Sequence, residues 1–215
     1  MWVNYPHMPT GANAQKDTFQ KLIPWAKEKD ILLVNDNPYS FVLTDQPQSM
    51  MTVSGAREVG MELNSLSKSF NMAGWRVGMV LGNKENINAV LNVKSNMDSG
   101  MFYGIQQGAI VALQAQESWF KKLNDIYHQR RKLIFELASH LNTDFDTESS
   151  GLFVWAKMKD ISKSSVSYVE EILQNYHIFI APGSIFGSQG EGYIRFSLCI
   201  DEEQISKAIE RIMKA

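Results

Sequence analysis

The sequence predicts an α/β unit with a mostly parallel sheet, followed by a smaller α+β unit. Three observations predict it. Over the first part of the chain, short apolar runs alternate with helix-period segments, as in sheets built from strand–helix–strand crossovers. The run at residues 31–34 ends in Asn35, Asp36, Asn37, Pro38 and Tyr39. That is the pattern of a buried parallel strand delivering polar side chains at its C-terminal end. Beyond residue 117 the texture changes to single helices, an alternating strand and short β runs.

Each element has its own signal. Residues 2–4 read as the tail of a strand. A helix is expected over 15–29, where Phe19, Leu22, Ile23 and Ala26 recur at helical spacing on one face. Strands are expected at 31–34, 60–65 and 76–81, the last ending at Gly82 and Asn83. A helix-biased stretch covers 85–93. After Asp98, Ser99 and Gly100, helices are expected at 103–115 and 117–141, the second carrying Trp119, Leu123, Ile126, Leu133, Ile134 and Leu137 as its apolar stripe. A turn at Ser149, Ser150 and Gly151 leads to an alternating strand at 152–155. A helix at 165–176, strands at 178–181 and 193–198, and a helix at 201–213 with acidic residues in its first turn complete the chain. The expected domains are 1–116 and 117–215.

Composition narrows the function. Of 215 residues, 44% are hydrophobic and 20% charged, which fits a globular chain rather than a disordered one. A net charge of -2 gives no electrostatic case for nucleic acid or an acidic membrane. No run approaches the ~18 apolar residues of a membrane span, and no charged, apolar leader opens the chain, so a cytoplasmic location is expected. The single cysteine, Cys199, lies in an apolar run and is expected to be buried. The four histidines show no metal-ligand spacing, so no metal is expected. Gly187, Gly190 and Gly192 suggest a phosphate loop, but they precede a strand instead of a helix N-terminus. A hairpin-like turn is expected there.

The chemistry concentrates at residues 65–76. Lys68 stands between Ser67 and Ser69 where a strand gives way to a turn, with Ser65 before it and Arg76 eight residues on. A lysine amine condenses with aldehydes once burial or a neighbouring cation makes it nucleophilic. An arginine fork suits a dianionic phosphate. Together they describe a site for pyridoxal phosphate. A serine-flanked lysine can also be a solvated loop residue, and the upstream segment weighs against that reading. Asp36 and Tyr39 would sit at a strand-to-loop switch, where open α/β sheets place ligands. An aspartate there keeps a pyridine nitrogen protonated and the ring an electron sink. Far downstream, Arg195 sits inside the strand-like run 192–197, where burial demands an anionic partner, either a structural carboxylate or a substrate's.

Taken in order, Pro9, Thr10 and Gly11, then Asp36 with Tyr39, then Ser65 and Lys68 with Arg76, then Arg195 resemble the fold-type I aminotransferases of the aspartate aminotransferase class (class I/II). The resemblance runs from about residue 2 to the C-terminus. It implies the C-terminal half of a pyridoxal-phosphate transferase large domain, keeping four adjacent strands, plus an α+β small domain. It implies that Lys68 carries pyridoxal 5'-phosphate as a Schiff base, is displaced by an amino acid, and then moves the α-proton. Asp36 would hold the pyridinium, Tyr39 the phenolic oxygen, Ser65, Ser67 and Arg76 the phosphate side, and Arg195 the substrate α-carboxylate. The implied substrates are an amino acid and a 2-oxo acid, and the implied assembly is a homo-oligomer, a dimer in the family. Carbon–sulfur β-lyases share the lysine, aspartate and tyrosine, so that activity stays open.

Two departures qualify the resemblance. The family's N-terminal half, with the glycine-rich part of the phosphate cup and the aromatic that stacks on the cofactor, has no counterpart in these residues. Reduced activity, or an inactive fragment, is therefore expected of the chain alone. Met8 stands where the family has an asparagine that donates to the phenolic oxygen, and a thioether cannot donate. The Met8–Pro9 bond is expected to be cis, as in the family's turn.

Overall fold

Three parallel strands whose C-terminal ends face one way are the feature that positions the site. The computed structural model describes residues 1–44 and 46–214. It divides into one unit of Met1–Met8 with Ala12–Phe120 and another of Pro9–Gly11 with Lys121–Ala215.

In the first unit, β1 (Trp2–Asn4), β2 (Leu33–Asp36) and β3 (Gly60–Ser65) run parallel, and β4 (Gly78–Leu81) closes the edge antiparallel, in the order β1-β2-β3-β4. The register pairs Asn4 with Asp36, both at strand ends, and Asp36 with Leu63, two residues before β3 ends at Ser65. Helix α1 (Thr18–Glu28) buries Phe19, Ile23 and Ala26, its predicted stripe, with Leu33, Met50 and Ala56. It starts later than predicted because Ala14 is drawn into that core and the Thr18 N–H bonds to the Gln15 carbonyl instead of continuing a helix.

Between β2 and β3 the chain makes a one-turn 3₁₀ helix at Met50–Thr52 and a single α turn, α2 (Ala56–Val59), neither legible as periodicity. After β3 come the one-turn α3 (Leu66–Ser69) and a 3₁₀ turn at Ala73–Trp75. Helix α4 (Lys84–Met97) is capped by the Asn83 side chain, which accepts from the Asn86 N–H. It buries none of its residues; Val93 and Met97 on it, Phe102 just before α5 (Tyr103–Leu113) and Val111 on α5 are exposed.

The cis peptide falls at Tyr5–Pro6, not at Met8–Pro9. The chain reverses directly after β1, where Asn35 Oδ1 accepts from the Tyr5 N–H and Asn4 Oδ1 from the Met8 N–H.

Helix α6 (Glu117–His140) carries the chain into the second unit, an antiparallel sheet ordered β5-β6-β8-β7. Its strands are β5 (Thr143–Phe145), β6 (Phe153–Met158), β7 (Ala181–Pro182) and β8 (Tyr193–Ser197). Alternation gives the sheet two characters. Val154, Ala156, Ile194 and Phe196 are buried, as are Ile134 and Leu137 of α6, Val169 and Ile172 of α7 (Ser165–Tyr176), and Ile205 and Ile209 of α8 (Glu202–Met213). Phe153, Trp155, Tyr193 and Arg195 take the alternate positions and stay half-buried.

The 183–192 connection joins antiparallel β7 and β8, as the hairpin-like reading expects, through two 3₁₀ turns, Gly183–Phe186 and Ser188–Gly190. These turns pack backbone on backbone. A methyl group on Gly183 would lie 2.1 Å from the Gly190 carbonyl oxygen and 2.6 Å from that of Tyr193. Gly183→Ala is therefore expected to destabilise the protein by about 2 kcal/mol or more, because the obstacle is main chain. Urea unfolding checks this, and an unchanged midpoint would contradict it.

Cys199 is exposed, not buried. Leu198 takes the inward position after β8, and the next residue bends outward with its N–H on Ser197 Oγ.

Among the described residues no helix is long and apolar enough to cross a membrane, and no cluster of three potential metal ligands occurs.

Candidate active site

Lys68 owes its place to the cap that precedes it. Ser65 ends β3 in extended geometry, and its hydroxyl accepts from the Ser67 N–H at 3.1 Å, starting the single turn that carries the lysine. Buried Leu66 anchors the turn: its N–H bonds to the Val77 carbonyl, and its own carbonyl accepts from the Met72 N–H. The segments containing Ser65, Ser67, Lys68 and Arg76 are thereby held together. The lysine is half-buried, and its Nζ lies 5.9 Å from the centroid of the Tyr39 ring, close enough for a cation–π attraction. Tyr39 itself is buried.

Asp36 ends β2, level with Asn4 and Leu63 on the flanking strands. Burial pushes its carboxyl above the usual carboxylate range. Folding thus favours the protonated form. The stability this contributes is full below the ordinary aspartate range and is lost as pH rises through the raised value. Asp36→Asn should therefore melt above the parent at neutral pH in the absence of cofactor, and the gain should vanish as pH falls below the carboxylate range. Paired thermal melts across that range check the sign, and a variant that melts lower at neutral pH contradicts it.

Arg76 follows the 3₁₀ turn with a positive φ of 51° and an exposed side chain. Its Nη1 donates to the Ala73 carbonyl at 2.8 Å, which orients the guanidinium back over the turn after Lys68.

Arg195 belongs to the second unit. Its guanidinium lies against two aromatic faces. Its guanidinium carbon lies 4.0 Å from the centroid of Phe153 and 4.3 Å from that of Phe186. Aromatic faces carry negative charge density and also hold the planar group flat. Beside it, Trp155 stacks on Tyr193 at 5.2 Å and meets the Phe186 ring edge-on. A cavity of about 260 Å³ opens there, lined by Thr10, Trp155, Gln189 and Tyr193 among others.

Glu62 escaped the sequence reading, which took residues 60–65 only as a strand. It is 2% exposed in β3. Its Oε2 accepts from the Met50 N–H at 2.7 Å and from Asn35 Nδ2 at 3.2 Å, and its Oε1 from Asn37 Nδ2 at 3.3 Å. Nothing in the sequence pattern marked it, because its pairing with buried Asn35 exists only in the folded sheet.

Comparison with known proteins agrees in family. The family described as aminotransferase class I and II matches residues 1–212. The LL-diaminopimelate aminotransferase of Aquifex aeolicus is 38% identical over 99% of this chain and 55% of the relative, and that of Gloeobacter violaceus is 40% identical over 100% and 55%. Among solved structures, substrate-bound BacF from Bacillus subtilis superposes with a TM-score of 0.93 at 35% identity, covering 100% of this chain and 55% of that one. An aromatic aminotransferase from Pyrococcus horikoshii gives 0.90 at 27% identity, covering 99% and 58%. The chain spans about half the length of the curated relatives it matches.

Proposed function

The chain belongs to the class I and II aminotransferases, and from that premise we propose that it moves an amino group between an amino acid and a 2-oxo acid with pyridoxal phosphate held by Lys68. The observation that carries the proposal is the serine-capped turn after β3. It holds the Lys68 amine half-buried beside Tyr39, just past the end of the strand next to the one that ends in Asp36. The donor set fits the cofactor: an amine for its aldehyde, a carboxyl for its ring nitrogen, a phenol for its phenolic oxygen, and hydroxyls with a guanidinium for its phosphate. When bound, pyridoxal phosphate supplies an aldehyde and a protonated ring that draws electrons from the substrate's α-carbon.

The chain's own residues do the rest. Lys68 Nζ accepts the α-proton of the substrate. Asp36 would hold a proton on the cofactor's ring nitrogen, Tyr39 would donate to its phenolic oxygen, and Ser65, Ser67 and Arg76 would hold its phosphate. Arg195, held flat between Phe153 and Phe186, pairs with the substrate α-carboxylate through its planar fork. Residues 1–116 act as the cofactor part and 117–215 as the small domain. The apolar residues left exposed on α4 and α5 support association with a second copy, and light scattering that reports a monomer at high concentration would contradict it.

Two relatives are named for LL-diaminopimelate, which makes that amino acid the first donor to test. Mixed with cofactor, LL-diaminopimelate or another amino acid, and a 2-oxo acid, the protein should transfer the amino group, at a rate below that of the full-length relatives, only when the acceptor is present. With a β-thio-substituted amino acid such as cystathionine, release of pyruvate, ammonia and a thiol without an acceptor would place the chemistry with β-elimination. No change in cofactor absorbance on mixing would overturn the reading.

A further inference from the structure

Glu62 has a charge the proposed chemistry does not use. Its environment is built from donors. The Met50 N–H is main chain and cannot reverse. Asn35 cannot turn its amide over, because its Oδ1 already accepts from the Tyr5 N–H, so its Nδ2 must face Glu62. Asn37 Nδ2 serves both Glu62 Oε1 and the Gln48 carbonyl, while Asn37 Oδ1 is buried with no partner among the described residues. Three N–H groups therefore converge on one carboxylate. Only an ionised carboxylate accepts on both oxygens without offering a proton back.

The position of these donors gives the arrangement a purpose. Asn35 and Asn37 flank Asp36 in sequence, and the Asn37 N–H extends the ladder to the Leu63 carbonyl. Along extended chain they point away from the face that Asp36 takes. We propose that Glu62 is a positioning residue for Asp36: ionised and buried between β2 and β3, it clamps Asn35 and Asn37 on either side of the aspartate and fixes the carboxyl at the strand end. This rests on the reading of Asp36 as the partner of the cofactor's ring nitrogen.

Glu62→Gln probes one side of the clamp. Its oxygen can replace Oε2 and keep the Met50 and Asn35 bonds. Its NH₂ then meets Asn37 Nδ2, and Asn37 must give up either this contact or the Gln48 carbonyl. Glu62→Asp keeps the charge but withdraws it by one methylene.

The test follows the Asp36 carboxyl by carbon-13 NMR through a pH titration of the cofactor-free chain, then titrates pyridoxal phosphate by absorbance. In Glu62→Gln the Asp36 midpoint is expected to fall toward the ordinary aspartate range, since burial holds it up and a loosened strand end admits water. Glu62→Asp should shift it by less. Cofactor binding should weaken about tenfold in Glu62→Gln, the loss of a charge-assisted bond's worth of ordering. The double variant with Asp36→Asn should bind no more weakly than Asp36→Asn alone, because Glu62 acts through Asp36. An Asp36 midpoint unmoved in both Glu62 variants overturns the proposal, and Glu62→Asp decides alone should Glu62→Gln fail to fold. Additive losses in the double variant overturn it too, by making Glu62 a separate structural residue. If Asp36→Asn alone binds cofactor as the parent does, the reading of Asp36 has failed, and the proposal falls with it at that distinguishable step.

Discussion

Replacing Lys68 by alanine is expected to remove covalent capture of pyridoxal phosphate and to lower amino-group transfer at least about ten-thousandfold, roughly 5.5 kcal/mol of transition-state stabilisation. The size follows from the two tasks given to one amine, holding the cofactor's aldehyde and accepting the α-proton. No other residue in the serine-capped turn offers a nucleophile of that kind. The fold should survive, since Leu66 and Ser65 anchor the turn and Lys68 contributes only its approach to Tyr39. That contact is worth about 0.5–1 kcal/mol. Absorbance of the cofactor mixture and a thermal melt read the two halves separately. A variant that keeps the parent's turnover would contradict the assignment.

The second large effect belongs to Asp36→Asn. Loss of the charge that keeps a ring nitrogen protonated should cost about a hundred- to a thousandfold in turnover, roughly 3–4 kcal/mol. The same substitution is expected to raise the melting temperature of the cofactor-free protein, because the carboxyl it removes is pushed up by burial. Opposite signs in the two measurements are the mark of a residue kept for chemistry at the expense of stability. Near-normal turnover would show that Asp36 serves another purpose.

The sequence made the large features readable and hid the ones that depend on distant partners. The parallel strands could be read because each buried apolar run stops at polar residues, and Asp36 does stand at the end of β2. Strand β5 could not, because Thr143, Asp144 and Phe145 offer one apolar residue and no alternation to count. The order of Ser65, Lys68 and Arg76 was visible, but not the bond from the Leu66 N–H to the Val77 carbonyl that brings their segments together. Arg195 was legible as a cation needing a partner, while Phe153 and Phe186 lie far enough away in sequence that no local pattern joins them to it. Glu62 was the deepest miss. Its donors sit 12, 25 and 27 residues away, so its role exists only in the folded chain.

Reductive trapping tests the central claim most directly. The protein, mixed with pyridoxal phosphate, is reduced with borohydride, digested and mapped by mass spectrometry. A lysine amine joined to the cofactor's aldehyde becomes a permanent secondary amine at the residue that held it. The account predicts the label on Lys68, saturating at low cofactor concentration and absent from Lys68→Ala. Label spread over exposed lysines such as Lys21 and Lys29, with Lys68 unmodified, would contradict it.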